Sequence, residues 1–156
     1  MPKMIVWRVF FASALCLATC AQAVTYQDPL NAKSSITIAD RSVILVDVEK
    51  PAKRCGSADP YVCIKSQPFS LAVPKDSSIS KWDFAGSRYE IVSKNERMIL
   101  GTLYSYDIVK VSGTLNLQFA YSRKEGIIAI KEPSGNTLLP VEKCGILVQD
   151  TSGGCN

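Results

Sequence analysis

Histidine is missing from all 156 residues, and that gap excludes more chemistry than any other. Without an imidazole there is no ordinary Ser-His-Asp or Cys-His arrangement, and no side chain that normally exchanges protons near neutral pH. Phosphate-cradling glycine loops that open a helix are missing too, as are calcium-loop patterns, so the common nucleotide and calcium sites have no sequence basis. Helical periodicity is scarce. Past residue 23 no apolar repeat keeps helical spacing for three turns, and the best candidate, 76–83 behind a capping Asp76, would be one or two turns long. Concentrated charge is also lacking. There are 18 basic and 14 acidic residues, and two of the basic ones, Lys3 and Arg8, sit in the first eight positions. The remainder intersperse, with Lys50, Lys53 and Arg54 as the one basic cluster and no aromatics among them. Nucleic-acid binding needs a concentrated basic footprint, so it is not expected. Asp28, Asp40, Asp47, Glu49, Asp59 and Asp107 show no pairing by spacing and read as solvated acids on strand edges.

What is present begins with an export signal. Lys3 and Arg8 precede an apolar stretch from Val9 to Thr19, and Ala21-Gln22-Ala23 has the small-x-small form of a signal peptidase site. The apolar stretch is about 11 residues, whereas a membrane span needs about 20. Residues 1–23 therefore read as a secretory signal peptide, and 24–156 as a single domain in the periplasm or outside the cell. Leu17-Ala18-Thr19-Cys20 has the outline of a lipoprotein box, with Thr19 where such boxes carry a small residue. Membrane attachment is expected only if Cys20 is acylated.

Six cysteines less Cys16 and Cys20 leave Cys55, Cys63, Cys144 and Cys155, an even number in an exported chain, and two disulfides are the expectation. Pairing Cys55 with Cys63 and Cys144 with Cys155 joins neighbours across turn-forming residues. Loops this short would each stabilise by roughly 2.5 to 3 kcal/mol in the chain-entropy model. A single bridge between the two halves is the alternative. Zinc is disfavoured because structural sites space their ligands as C-x2-4-C, closer than these pairs.

The strand period is clearest between Met98 and Ile130. Leu115, Leu117, Phe119 and Tyr121 alternate with Asn116, Gln118 and other polar residues, the mark of a half-buried strand. Lys124, Glu125 and Gly126 connect it to the apolar run Ile127–Ile130, giving a hairpin within an antiparallel meander. Further strands are expected at Ile36–Ile38, at Val43–Val48, at Tyr61–Lys65 and Phe69–Val73, and from Tyr89 to Lys94. Val24–Lys33 reads as an extended arm, 49–60 as a bridged loop, and Asn95-Glu96 as a turn. Trp82, the sole tryptophan beyond the leader, is expected to plug one end of the core, with an exposed anchor for a partner as the alternative.

Two short resemblances follow from particular residues. Ser78-x-x-Lys81, Ser134-x-Asn136 and Lys143-x-Gly145 resemble the motifs of penicillin-binding proteins and serine β-lactamases in their order. Those motifs need a helical domain packed on a sheet, in a fold about twice this length. With Cys144 standing where that family has a small hydroxyl residue, the match reads as coincidence. Ala85-Gly86-Ser87-Arg88-Tyr89 is similar to the Ser-Gly-x-x-Tyr stretch of the periplasmic c-type lysozyme inhibitors. Gly86 and Tyr89 match, and Ala85 stands in place of the serine. That resemblance implies a small disulfide-bridged β-barrel inserting this loop into a lysozyme cleft. Tyr104 and Tyr106 share a strand face, expected to pack on the core, with interface contact as the alternative.

These readings lead to an all-β fold, a single small antiparallel sandwich or barrel of roughly eight strands with two disulfides. No catalytic residue, metal or cofactor is expected. The expected function is non-catalytic binding of another protein, as an inhibitor or protective factor, with Trp82, Gly86, Arg88, Tyr89, Tyr104 and Tyr106 as candidate contacts. The alternative is a structural or assembly component of the cell envelope, anchored at Cys20.

Overall fold

The computed structural model describes residues 23–67, 69–99 and 102–150. The leader, Cys20 and Cys155 lie outside them. The described chain is all-β. Its strands are β1 (Val24–Asp28), β2 (Asn31–Ile38), β3 (Ser42–Leu45), β4 (Val48–Arg54), β5 (Tyr61–Ser66), β6 (Leu71–Pro74), β7 (Lys81–Phe84), β8 (Ser87–Ile99), β9 (Thr102–Gly113), β10 (Leu117–Ser122), β11 (Gly126–Lys131) and β12 (Thr137–Pro140). All twelve join one antiparallel sheet in the order β6-β5-β4-β3-β2-β1-β12-β11-β10-β9-β8-β7. Every neighbour in that order is a sequence neighbour except β1 and β12, which pair as Tyr26↔Pro140 and Gln27↔Leu139. The sheet curls into a nearly closed barrel whose seam lies between β6 and β7. Tyr89 on β8 reaches across this seam to donate its hydroxyl to the Ser70 carbonyl at 2.7 Å. The Phe84 ring on β7 meets Tyr61 on β5 edge-on at 5.6 Å.

Alternation decides what fills the barrel. Val109, Val111, Leu117, Phe119 and Tyr121 point inward and join Tyr26, Ile38, Val43, Ile64, Ile127, Ile130 and Leu138 in one apolar cluster. Lys81, Asp83, Arg88, Lys110 and Lys131 occupy the intervening outward positions. Apolar-in and polar-out is the reverse of a lipid-facing barrel wall. Each fully buried aliphatic or aromatic side chain contributes about 1.5–3 kcal/mol.

After β12 the chain returns across the end of the barrel as an irregular strap, residues 141–150. Ile127 N–H donates to the Ile146 carbonyl at 2.8 Å and Gly145 N–H to the Glu125 carbonyl at 2.7 Å, while Ile146 and Leu147 enter the core. Two phenols hold the strap from inside. Tyr26 donates to the Ile127 carbonyl at 2.8 Å and accepts from Ile146 N–H at 2.9 Å, and Tyr121 donates to the Leu147 carbonyl. Gly145 lies so close to the Ile127 carbonyl and the Tyr26 hydroxyl that a Cβ would overlap both.

Several expectations are corrected. Among the described residues the strand count is twelve, not eight. Val24–Lys33 is a hairpin, because Tyr26 is buried and its neighbours pair with Thr37 and Ser35. The run Val43–Val48 is broken at Val46-Asp47, where φ is 46° and 64°, two successive left-handed residues that form the hairpin turn type matching strand twist. Residues 49–54 are strand, paired to β3 on one side and to β5 on the other. Asn95-Glu96 is no turn, since β8 runs straight through it. Residues 76–80 form an exposed connection and 81–83 belong to β7, so the expected helix is replaced by loop and strand. Of the two expected disulfides, the Cys144–Cys155 pairing ends on a residue outside the described ones, and Cys55–Cys63 is present. It closes the β4–β5 connection, and its loop length corresponds to about 2.5 kcal/mol of chain-entropy stabilisation.

Candidate functional site

The residues singled out from sequence fall into two separate places. Trp82 and Tyr89 are cross-strand partners and stack with ring centroids 5.3 Å apart at 14°. Both are buried, at 6% and 0% exposure, so neither ring offers surface to a partner. Trp82 is thus the core plug expected of it. Ala85 and Gly86, with φ of 50° and 77°, form a tight two-residue turn closed by Phe84↔Ser87. A Cβ on Gly86 would crowd the Thr114 hydroxyl. Ser87 is buried and accepts the Leu115 N–H at 3.0 Å, so this stretch is a pinned turn rather than a projecting loop. Ala85 and Arg88 are the exposed side chains of the five, and Arg88 lies 3.5 Å from Asp83 in a solvated pair of little energetic weight.

Tyr104 and Tyr106 lie elsewhere, on a feature that dominates one end of the molecule. β8 and β9 are the two longest strands, and their far halves leave the barrel. β7 pairs with β8 only as far as Glu90, and β10 pairs with β9 only from Asp107 onward, so Ser93–Ile99 and Thr102–Tyr106 form a two-stranded arm. The register places Val92 as an extra residue between Ile91↔Val109 and Ser93↔Ile108. Such a bulge bends and twists the ribbon. It also swaps which residues of β8 face inward. Tyr89 and Ile91 share a face with Val111 and Val109, and past the bulge that face is continued by Lys94, Glu96 and Met98 opposite Asp107, Ser105 and Leu103. The buried face of β9 is that of Val109 and Val111, so Tyr104 and Tyr106 lie on the opposite side, half-buried rather than in the core.

The inner face of the arm overhangs a hollow of about 730 Å³ bordered by Leu103, Tyr106, Tyr121, Arg123 and the strap residue Asp150. Below it lies a tighter recess of about 150 Å³ that reaches Trp82, Ile91 and Val109 and shares Lys94, Asp107, Tyr121 and Arg123 with the hollow. The floor is apolar and the walls mix signs. Lys94, Arg123 and Lys124 stand among Glu96, Asp107, Glu125 and Asp150. Arg123 is fixed, donating to the Lys75 carbonyl at 3.1 Å and to Gln149 Oε1 at 2.5 Å, which ties the β6–β7 connection to the strap. Ser122 donates to the Glu125 carboxylate. At the lip of the recess Asp76 accepts the Ser78 N–H at 2.8 Å, and that bond, with Arg123 contributing, holds its carboxyl below the ordinary 3.8. On the arm, Met98 and Leu103 are exposed at 67% and 59%.

No His, Cys, Asp or Glu side chains among the described residues converge in threes to hold a metal. An apolar floor, fixed charges of both signs and an apolar-tipped flap suit contact with a polypeptide segment. Sequence reasoning passed over Lys94, Leu103, Asp107 and Arg123. Their signal was faint, because the bulge at Val92 decides which of them share a face. No protein-family model matches the chain, and no curated protein or solved structure matches it.

Proposed function

We propose that this is an exported, non-catalytic protein-binding domain, an inhibitor or protective factor, whose contact surface is the β8–β9 arm and the hollow beneath it. The observation that carries this reading is the arm itself, which exposes Met98 and Leu103 above an open cavity instead of folding them onto the barrel. Exposed apolar groups rimmed by charge are the composition of interaction surfaces. The Cys55–Cys63 bridge fits an oxidising, exported location, and the leader at 1–23 supplies the route. Of the contacts suggested by sequence, Tyr104, Tyr106 and Arg88 remain open to a partner, while Trp82 and Tyr89 support the recess from within.

The test is co-purification from cell envelopes followed by affinity measurement on the partner recovered. Leu103→Asp and Tyr106→Ala should each weaken that complex by about tenfold or more, with the melting temperature unchanged because both side chains project from the arm. Retention of full affinity by both variants would move the contact surface away from the arm.

A further inference from the structure

The outer edge of the arm is open. β8 has β7 on one side as far as Glu90, and Ile91 N–H still donates to the Ser80 carbonyl at 2.9 Å. From Val92 onward β8 has only β9 beside it among the described residues. The backbone groups left free follow from the register. Ser87 closes the two-residue turn against Phe84, so residues 87, 89 and 91 direct their N–H and C=O toward β7, and 88 and 90 toward β9. The extra residue Val92 shifts the alternation by one. Ser93, Asn95 and Arg97 then face Ile108, Tyr106 and Tyr104 on β9, and Lys94, Glu96 and Met98 turn their N–H and C=O outward. A row of unpaired backbone groups is a template for another strand.

The side chains on that row discriminate among possible occupants. A second copy approaching antiparallel must set outward-facing residues opposite outward-facing residues, and three two-fold registers engage both charged positions. Centred on Lys94, the register opposes two lysines. Centred on Glu96, it opposes two glutamates. Centred on Asn95, it sets Lys94 against Glu96 of the second copy, and Glu96 against the second copy's Lys94. Cross-strand pairs of opposite charge stabilise and like pairs destabilise, so the charges that would repel a misaligned strand select one alignment with self.

We propose that two copies of this chain associate through the outer edges of β8, antiparallel about Asn95, so that the sheet of one molecule continues into the next. This inference does not rest on the partner-binding reading, and it leaves the β9 side of the arm uncovered. The experiment is sedimentation equilibrium on the purified exported chain across a concentration series. A reversible dimer is expected. Lys94→Glu and Glu96→Lys should each weaken it by about tenfold or more. The double exchange Lys94→Glu/Glu96→Lys should restore it, and the two single variants should associate with each other when mixed. An Asn95→Cys chain should form a disulfide-linked dimer on oxidation, because residue 95 meets itself at the axis, whereas Arg97→Cys should not. Melting curves establish that each variant is folded. A chain that is monomeric throughout, a dimer indifferent to the single reversals, or single variants that fail to pair with each other would each overturn the proposal.

Discussion

Tyr26, Tyr89 and Tyr121 each direct a hydroxyl at a backbone carbonyl, those of Ile127, Ser70 and Leu147 respectively. Burial pushes all three above the ordinary value of 10.0, since the water a phenolate loses outweighs what the Ile146 N–H offers Tyr26 and Arg123 offers Tyr121. The folded state thus holds these protons after an unfolded chain has released them. A group raised in this way gives its full stability below the unfolded value and loses it as pH climbs toward the folded one. Stability should be unaffected by these groups below about pH 10 and should fall above it, by about 4 kcal/mol per pH unit for three tyrosines acting together. Tyrosinate absorbance followed alongside circular dichroism checks this. Three phenols should ionise only with loss of the β signal, and ionisation of every tyrosine while the sheet persists would contradict it.

At the level of elements, the β3–β4 hairpin carries a mismatch between residue and conformation. Val46 is β-branched and 75% exposed, yet sits at φ 46°, followed by Asp47 at 64°. Left-handed backbone is costly for a β-branched side chain, and Asn-Gly is the favoured pair for this turn. Val46→Asn combined with Asp47→Gly should therefore stabilise the protein by about 1 kcal/mol in chemical denaturation. The same turn shows why parts of the fold resist reading from sequence. Val43–Val48 looks like one strand because nothing at Val46 signals a reversal. β4 holds Glu49, Lys50, Pro51 and Lys53 and has almost no apolar content. It is a strand because β3 and β5 flank it, a condition invisible in its own residues. β8 passes through Asn95 and Glu96 for a similar reason, since pairing with β9 rather than burial holds it extended. Where one face is buried, as at Leu117, Phe119 and Tyr121, the period-two pattern is legible and the strand lies there, although it starts at Leu117 and leaves Leu115 in the preceding bend. The arm and hollow were not legible, because they depend on one extra residue in one ladder.

For the whole molecule the telling feature is connectivity. Ten of the eleven ladders in the sheet join neighbours in sequence, and only β1–β12 joins distant parts of the chain. Local pairings close short loops and form readily, whereas the closing ladder must wait for both ends. Two six-stranded curtains, β1 to β6 and β7 to β12, can therefore assemble separately and meet along Tyr26↔Pro140, with Ile146 and Leu147 of the strap sealing the joint.

The seam between β6 and β7 gives the covalent chain a place where it is dispensable. Residues 75–80 are all exposed, and no ladder spans the two strands they connect. Trypsin cutting after Lys75 would divide the polypeptide without severing a sheet pairing. The two pieces should migrate together on a native gel and part only in denaturant, and separation without denaturant would show that the connection itself holds the barrel shut. Expressed apart, the halves have what a fragment-complementation pair requires: a shared apolar core, one interlocking ladder, and new chain ends in an exposed connection.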